Sequence, residues 1–334
     1  MIAAQIKVSR SPLPLASPPK VSVAMVAYKH ERFIVQAVES VMMQQTDFPY
    51  ELVIGEDCSP DRTREIVLSL QRKYPDRIRL LLREMNVGMM TNFVQTLQAC
   101  EGQYVALLEG DDYWTNPQKL QKQVALLEAH PKYSACFALA RVVAENNSSE
   151  VFYIPSKQTS AVAFTTQDLL NKNCIATASV MYRNIMREIN FEPLKSLKMI
   201  DWPLHILVSL KGSVGYIPEE MAVYRQHPGG IWTSATAVPK LEASIQMYDA
   251  LRTMLPARHR RPVAVTIVKT YQLIALELLR RGDRRQARVR IFQSFAAIPP
   301  ASLFSFGWYI KRSVLLLLGV CGMPLPRVEA ALRR

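Results

Sequence analysis

Glycine is scarce in this chain, 12 residues in 334, against a usual share of roughly 7%. No G-x-x-x-x-G-K and no G-x-G-x-x-G occurs. That excludes the P-loop and the dinucleotide fingerprint, which both cradle phosphates on glycine-rich turns. Cysteine is sparse as well. Cys58, Cys100, Cys136, Cys174 and Cys321 are odd in number, far apart and contain no C-x-x-C pair. A disulfide framework and a structural zinc site are excluded, and reduced thiols in a cytosolic protein are expected. Residues 1–20 hold Lys7 and Arg10 but lack the apolar run of roughly 7–15 residues that a secretory signal needs. Four prolines between Pro12 and Pro19 make residues 1–19 read as a flexible leader. Asn146 and Asn147 both open an N-x-[ST] pattern, which without a signal marks only an exposed polar loop. Apolar residues at 49% and charged residues at 21% exclude collagen, a coiled-coil rod and a mainly disordered chain, and predict a sizeable core.

The net charge of +13 is unevenly placed. Residues 240–334 carry 17 Lys and Arg against five Asp and Glu, and residues 1–239 carry 24 against 23. A neutral body with a basic tail points to a tail that touches something anionic. The body has to be read separately.

From residue 21 the body alternates strand and helix signals. Val21–Val26 is a short apolar run suited to a strand buried on both faces. A polar turn, Tyr28-Lys29-His30-Glu31, leads to a helix with Ile34, Val38 and Val41 on one face. Glu51–Gly55 is the next strand. It runs into Glu56-Asp57-Cys58-Ser59-Pro60-Asp61, where Ser59 is a good N-cap and Pro60 a good first helical residue. That helix turns Ile66, Val67 and Leu70 inward and ends near Pro75. Ile78–Leu82 is a third strand, Thr91–Cys100 a helix, and Tyr104–Leu108 a fourth strand that stops at Glu109-Gly110-Asp111-Asp112-Tyr113-Trp114. This alternation predicts a parallel sheet covered by helices. Strands are also expected near Cys136–Val143, Ala178–Tyr182 and Val214–Ile217, with a helix after Asp201. From residue 240 the pattern is helical.

Ligands in such sheets bind beyond the carboxyl ends of the strands, and two acidic clusters lie at such ends, Glu56/Asp57 and Glu109/Asp111/Asp112. For Asp57 or Asp61 alone, ordinary turn chemistry suffices, because these side chains satisfy free backbone N–H groups. Three carboxylates within four residues repel one another, and a divalent cation with phosphate oxygens would stabilise them.

Four stretches, in order and over roughly residues 20–235, resemble family-2 glycosyltransferases of the GT-A fold. They are Val21–Glu31, Glu51–Thr63, Glu109–Trp114, and Asp201-Trp202-Pro203 with Tyr224-Arg225-Gln226-His227-Pro228-Gly229-Gly230. The resemblance implies an α/β protein with a mostly parallel central sheet flanked by helices (residues 20–239), followed by an all-helical C-terminal extension (240–334). It implies an inverting, metal-dependent transferase that moves a sugar from a nucleotide-sugar, a UDP-sugar by its base contacts, to a saccharide or lipid-linked acceptor in cell-envelope glycan synthesis.

Residue by residue, the resemblance places the nucleotide base on Ala27 and Tyr28, with Glu31 in the same turn. Asp57 would accept from a uracil-type imide, and Asn86 would belong to the sugar-side loop. Glu109-Gly110-Asp111 stands in the place of the family's D-x-D motif, with Glu109 departing from the usual Asp. Asp111 would bind Mg²⁺ or Mn²⁺ with Asp112 beside it, and Arg225 and His227 would touch diphosphate or metal. Asp201 would be the catalytic base, an N-cap role being its structural alternative. Trp114, Trp202 and Trp232 would line the acceptor side, although Tyr113 and Trp114 also suit a core.

The tail contains Arg258-His259-Arg260-Arg261 and Arg280-Arg281-Gly282-Asp283-Arg284-Arg285. The uncharged stretch between Arg290 and Lys311 is interrupted by Pro299, Pro300 and Gly307, and the run Val314–Pro326 is short of the roughly 20 residues a spanning helix needs. Both read as interfacial segments on an anionic membrane surface, with Trp308 and Tyr309 at headgroup level. This predicts a cytoplasmic protein, peripheral at the inner face of the plasma membrane. The alternatives are a sugar-nucleotide nucleotidyltransferase, which would want a glycine-rich loop near the first strand, and a non-catalytic basic binder. Nucleic acid is not an expected partner, because the body is neutral and the tail is apolar between its basic clusters.

Overall fold

The computed structural model describes residues 6–9, 18–145, 151–230, 232, 236–298 and 307–333; the Asn146–Asn147 pattern lies outside them. The chain divides into two compact units. One runs to Ser196 and resumes over Ile200–His227, and the other comprises Leu197–Met199 and the chain from Pro228. The division at His227/Pro228 precedes the compositional shift at residue 240, because packing rather than charge defines the unit.

The first unit is an α/β layer structure. Its strands are β1 (Ile6–Ser9), β2 (Val21–Ala27), β3 (Tyr50–Glu56), β4 (Ile78–Arg83), β5 (Tyr104–Glu109), β6 (Tyr113–Trp114), β7 (Tyr133–Ala144), β8 (Phe152–Ile154), β9 (Ala163–Phe164), β10 (Val180–Arg183) and β11 (Ser213–Gln226). Its helices are α1 (Ile34–Met42), α2 (Thr63–Lys73), α3 (Met89–Ala99), α4 (Lys119–Ala129), α5 (Thr166–Asn171) and α6 (Asp201–Ser209). The sheet order is β1-β4-β3-β2-β5-β10-β7-β11-β6. The block β4-β3-β2-β5 is parallel throughout, and β10 joins β5 to β7 antiparallel to both. Val21, Val23 and Met25 of β2 pack with Ile34, Val38 and Val41 of α1 in one core. Because β2 and β3 are buried along both faces, their carboxyl ends finish in register, Ala27 opposite Glu56 and Val26 opposite Glu109.

Three local expectations are corrected. The stretch read as a flexible leader contributes β1, which pairs antiparallel with β4. Helix α2 begins at Thr63 rather than at Pro60, because residues 59–62 are occupied in tying down the turn after β2. Ser59 Oγ accepts from Lys29 N at 3.1 Å, and Glu31 Oε2 accepts from Arg62 N at 3.0 Å. Strand β11 continues nine residues past the expected Val214–Ile217 in the same ladder, through Pro218 to Gln226, its register shifting between Ile217 and Glu220. A bulge is where a strand tolerates proline, so Pro218 does not end the strand.

The second unit is helical: α7 (Ala237–Met254), α8 (Arg260–Arg280), α9 (Arg284–Ala296), α10 (Gly307–Val320) and α11 (Leu325–Arg333). Ala275, Ile291, Leu316 and Val328 form one of its cores. Gln272 Nε2 donates to Tyr309 O and Ser313 Oγ at 2.8 and 2.9 Å. Gly282, at φ +81°, closes α8 in the left-handed conformation that glycine adopts without Cβ strain. Asp283 then caps α9, accepting from Gln286 N at 3.0 Å. Among the described residues, Ala257–Arg280 is the one helical stretch long and apolar enough to cross a membrane by length and composition, and half of its apolar window is buried.

Candidate active site

The carboxyl ends of β2, β3 and β5 carry the features that a buried apolar strand cannot continue. Lys29 (φ 60°) and Cys58 (φ 54°) both adopt left-handed backbone at these ends, an uncommon state for residues with a Cβ and one that clusters at functional sites. Ala27 is buried and its carbonyl accepts from Asp57 N at 3.1 Å. Tyr28 is exposed beside it.

Asp57 is buried, and its two carboxylate oxygens accept from Val87 N (2.8 Å) and Gly88 N (3.0 Å), while Asn86 Nδ2 donates to Asp57 O at 3.1 Å. The acid thus holds the 86–88 loop. Burial raises its pKa against the opposing pull of these two N–H groups. Glu31 is likewise engaged in the turn contacts with Arg62.

Around the end of β5 the acids converge. His227 Nε2 lies 3.0 Å and His30 Nε2 3.7 Å from the same oxygen, Asp111 Oδ2. Burial opposes ionisation of Asp111, but the His227 hydrogen bond and the nearby His30 outweigh it and hold its pKa below the usual carboxylate range. The same hydrogen bond raises His227, whereas burial lowers His30. Burial, reinforced by Asp111 and Asp201, pushes Glu109 up to about 8, the ordinary consequence of desolvating a carboxyl beside other acids. Asp112 is raised well above its usual range for the same reasons, burial first and then Asp111 and Glu109. Its Oδ1 accepts from Arg225 N at 2.8 Å, and its buried Oδ2 has no partner.

Arg225 reaches this cluster because β11 runs on past its bulge. Its guanidinium donates to Asp111 O and to Gln36 Oε1, between the rings of Tyr113 (4.4 Å) and Phe33 (5.1 Å), and the Phe33 ring lies 4.8 Å from that of His227. Gly110 is a packing requirement: a Cβ there would meet His30 Nδ1 at 2.7 Å and Ile34 Cδ1 at 2.8 Å.

Asp201 is the first residue of α6, one place inside the N-cap position held by Ile200. Burial raises its pKa, opposed by Trp202 N–H and by the Asn173 and Thr177 side chains; Asn173 Nδ2 donates to Oδ2 at 3.3 Å. Trp114 is corrected. It is 2% exposed, its Nε1 donates to Ala178 O at 2.7 Å and the Lys119 ammonium lies 4.1 Å over its ring. It is a core side chain, sealed from any acceptor. Trp202 is half-buried, its Nε1 donating to Leu169 O at 2.7 Å. Trp232 falls in the second unit and is exposed there.

The structure therefore brings Asp111, Asp112, Arg225 and His227 together, with Glu109 and Asp201 within electrostatic reach of each other. Sequence reasoning passed over His30, Phe33 and Gln36. His30 had a usable signal, since it follows the carboxyl end of the central strand; Phe33 and Gln36 had none, being ordinary residues at the start of a helix. All five cysteines are free, and burial pushes Cys136 up to about 12 and Cys174 up to about 11, which leaves those thiols unreactive.

A parallel α/β block with a histidine-flanked acid cluster beyond its central strands defines a GT-A type transferase fold. Residues 22–189 match the model of glycosyl transferase family 2, half of the chain, and the chain belongs to that family and is a glycosyltransferase. It is similar to an uncharacterised protein of Mycobacterium tuberculosis, 34% identical over 288 residues, 85% of this chain and 82% of the relative. It is also similar to the Escherichia coli UDP-Glc:alpha-D-GlcNAc-diphosphoundecaprenol beta-1,3-glucosyltransferase WfgD, 31% identical over 156 residues, 46% of this chain and 56% of that protein. The crystal structure of Staphylococcus aureus TarS residues 1–349 with UDP-GlcNAc shares the fold, at TM-score 0.55 and 20% identity over 84% of this chain and 82% of that one.

Proposed function

We propose that the chain transfers a sugar, with inversion, from a UDP-sugar to a saccharide or lipid-linked acceptor in cell-envelope glycan synthesis, at the inner face of the plasma membrane. The observation that carries this reading is the approach of Asp111, Glu109 and Asp201 at the end of β5, with His227 on Asp111. The UDP-glucosyl transfer named for the E. coli relative supports the choice of nucleotide and of a lipid-linked acceptor.

The donor set fits a divalent cation. Asp111 and His227 offer one carboxylate and one imidazole, suited to Mg²⁺ or, better, Mn²⁺. Among the described residues no group of three or more His, Cys, Asp and Glu side chains is arranged to hold a cation, so diphosphate oxygens would complete its shell. When bound, the cation neutralises charge on the departing diphosphate. Arg225, held between two rings, would face the same charge. Asp201 takes the proton from the acceptor hydroxyl, and its raised pKa makes it a stronger base while it remains ionised. Asp57 receives the base, with Tyr28 against the ring, and the 86–88 loop that Asp57 holds faces the sugar side.

Titration calorimetry with UDP, GDP and CDP, each with and without Mn²⁺, tests the donor site. Binding of UDP that requires the metal is expected. Absence of binding by all three would overturn the proposal. A transfer assay with UDP-sugars, followed by NMR of the anomeric proton in the product, tests inversion.

A further inference from the structure

Helices around a core normally turn charged and polar side chains to water. The helical unit departs from this on two helices. On α9, Arg285, Arg288, Val289 and Phe292 are all exposed, Phe292 by 58%. At 3.6 residues per turn these positions fall on one side of the helix. On α10, Trp308, Lys311, Val314 and Leu318 form a second exposed stripe, Trp308 by 52%, with the Arg312 guanidinium 4.6 Å over the Trp308 ring. The inner faces of the same helices are already packed, through Ile291 and Leu316. The outward apolar side chains are therefore additional to the core. Each stripe intersperses them with cations, in a segment carrying 17 basic residues against five acids.

We infer that α9 and α10 present a docking surface for an anionic phospholipid bilayer. Arg285, Arg288 and Lys311 meet lipid phosphates, and Val289, Phe292, Val314 and Leu318 enter the boundary of the acyl chains, with Trp308 at headgroup level. The charge decides the occupant. A second copy of this chain would bring the same positive excess against itself, and a nucleic acid would leave five large apolar side chains against sugar and phosphate. At 13 and 14 residues, both helices are shorter than the roughly 20 residues of a membrane span, so they lie on the surface. The inference names the surface behind the membrane location proposed above, and it stands on the helical unit alone.

Co-flotation of the full chain with vesicles tests it, using phosphatidylcholine alone and phosphatidylcholine mixed with phosphatidylglycerol, at low and high salt. Binding to the mixed vesicles, weakened by salt, is expected, with little binding to the neutral ones. Arg288→Glu should weaken binding at least about fivefold, given the contribution of one basic residue near an anionic surface. Arg252→Glu, an equal charge change at an exposed arginine of α7, should leave it near wild type. Val289→Asp with Phe292→Asp should abolish the binding that survives at high salt. Circular dichroism melts confirm that each variant is folded, and UDP calorimetry on the same preparations separates failure of docking from failure of the transferase reading. Equal binding by stripe variants and wild type, or wild type ignoring anionic vesicles, would overturn the inference. So would concentration-dependent dimerisation abolished by Phe292→Asp, which would assign the surface to a second copy.

Discussion

In the α/β unit the side chains that mark the candidate site are turned inward: Asp112 is buried, and Glu109 and Asp201 are half-buried carboxyl groups at the end of β5 and the start of α6, each with a raised pKa. In the helical unit the side chains that depart from ordinary partition are outside, Phe292, Trp308 and Leu318 standing in water on faces that also carry arginine and lysine. Both arrangements cost stability, and each marks a place where a partner would relieve the cost. On the function proposed above, a divalent cation would neutralise these acids, and a lipid surface would cover the exposed apolar groups. The contrast also separates the chemistry of the two partners. The inner site orders charge in a desolvated space, where each group is worth more, whereas the outer one adds many weak contacts.

The sharpest way to break this contrast is Asp111→Asn. Loss of metal-dependent UDP binding is expected, with transfer falling by about 10²–10³-fold, the scale for removing one preorganised charge stabiliser; calorimetry and initial rates read it. Asp201→Asn should lower transfer by about 10²–10⁴-fold while UDP affinity stays near wild type, which separates a base from a folding role at the helix start.

Lys119 offers a control buried in the same unit but away from the acids. Burial lowers its pKa to about 7 from the ordinary 10.5, so the unfolded chain binds more protons between those values and stability should rise with pH from about 7 to about 10.5. The rise should be on the order of 2–4 kcal/mol. Lys119→Met should flatten that dependence in urea titrations across the window. The smallest effect is expected from Trp114→Phe, which removes the hydrogen bond to Ala178 and some packing at a cost of about 1–3 kcal/mol. Its KM for the acceptor should stay unchanged, and a raised KM would return Trp114 to the acceptor side.

Much of the parallel block was legible because its signals are local. Val21–Ala27, Leu52–Gly55 and Tyr104–Leu108 are nearly continuous apolar runs, the last two stopping at Glu56 and Glu109, and a strand buried on both faces has to read that way. The failures are equally physical. Ser59-Pro60 has the chemistry of a helix start, but Ser59 is engaged by the backbone of Lys29, a contact no window of sequence contains. The strand expected over Val214–Ile217 runs on to Gln226 because the bulge that accommodates Pro218 is a property of the β11–β7 ladder, which no sequence window contains. Ile6–Ser9 is too short to announce itself and is defined by its pairing with β4.

By itself the sequence determined the alternating strands and helices of the parallel block, the placing of acids at strand ends, and the separation of a neutral body from a basic tail, since periodicity, turn chemistry and charge are carried by neighbouring residues. The tertiary structure decided that His30 and His227, the latter 116 residues away in sequence, address one oxygen of Asp111. It also decided that Trp114 is sealed in the core and that Phe292 faces outward. Those outcomes depend on strand pairing and helix packing, which fix side-chain direction only once distant segments have met.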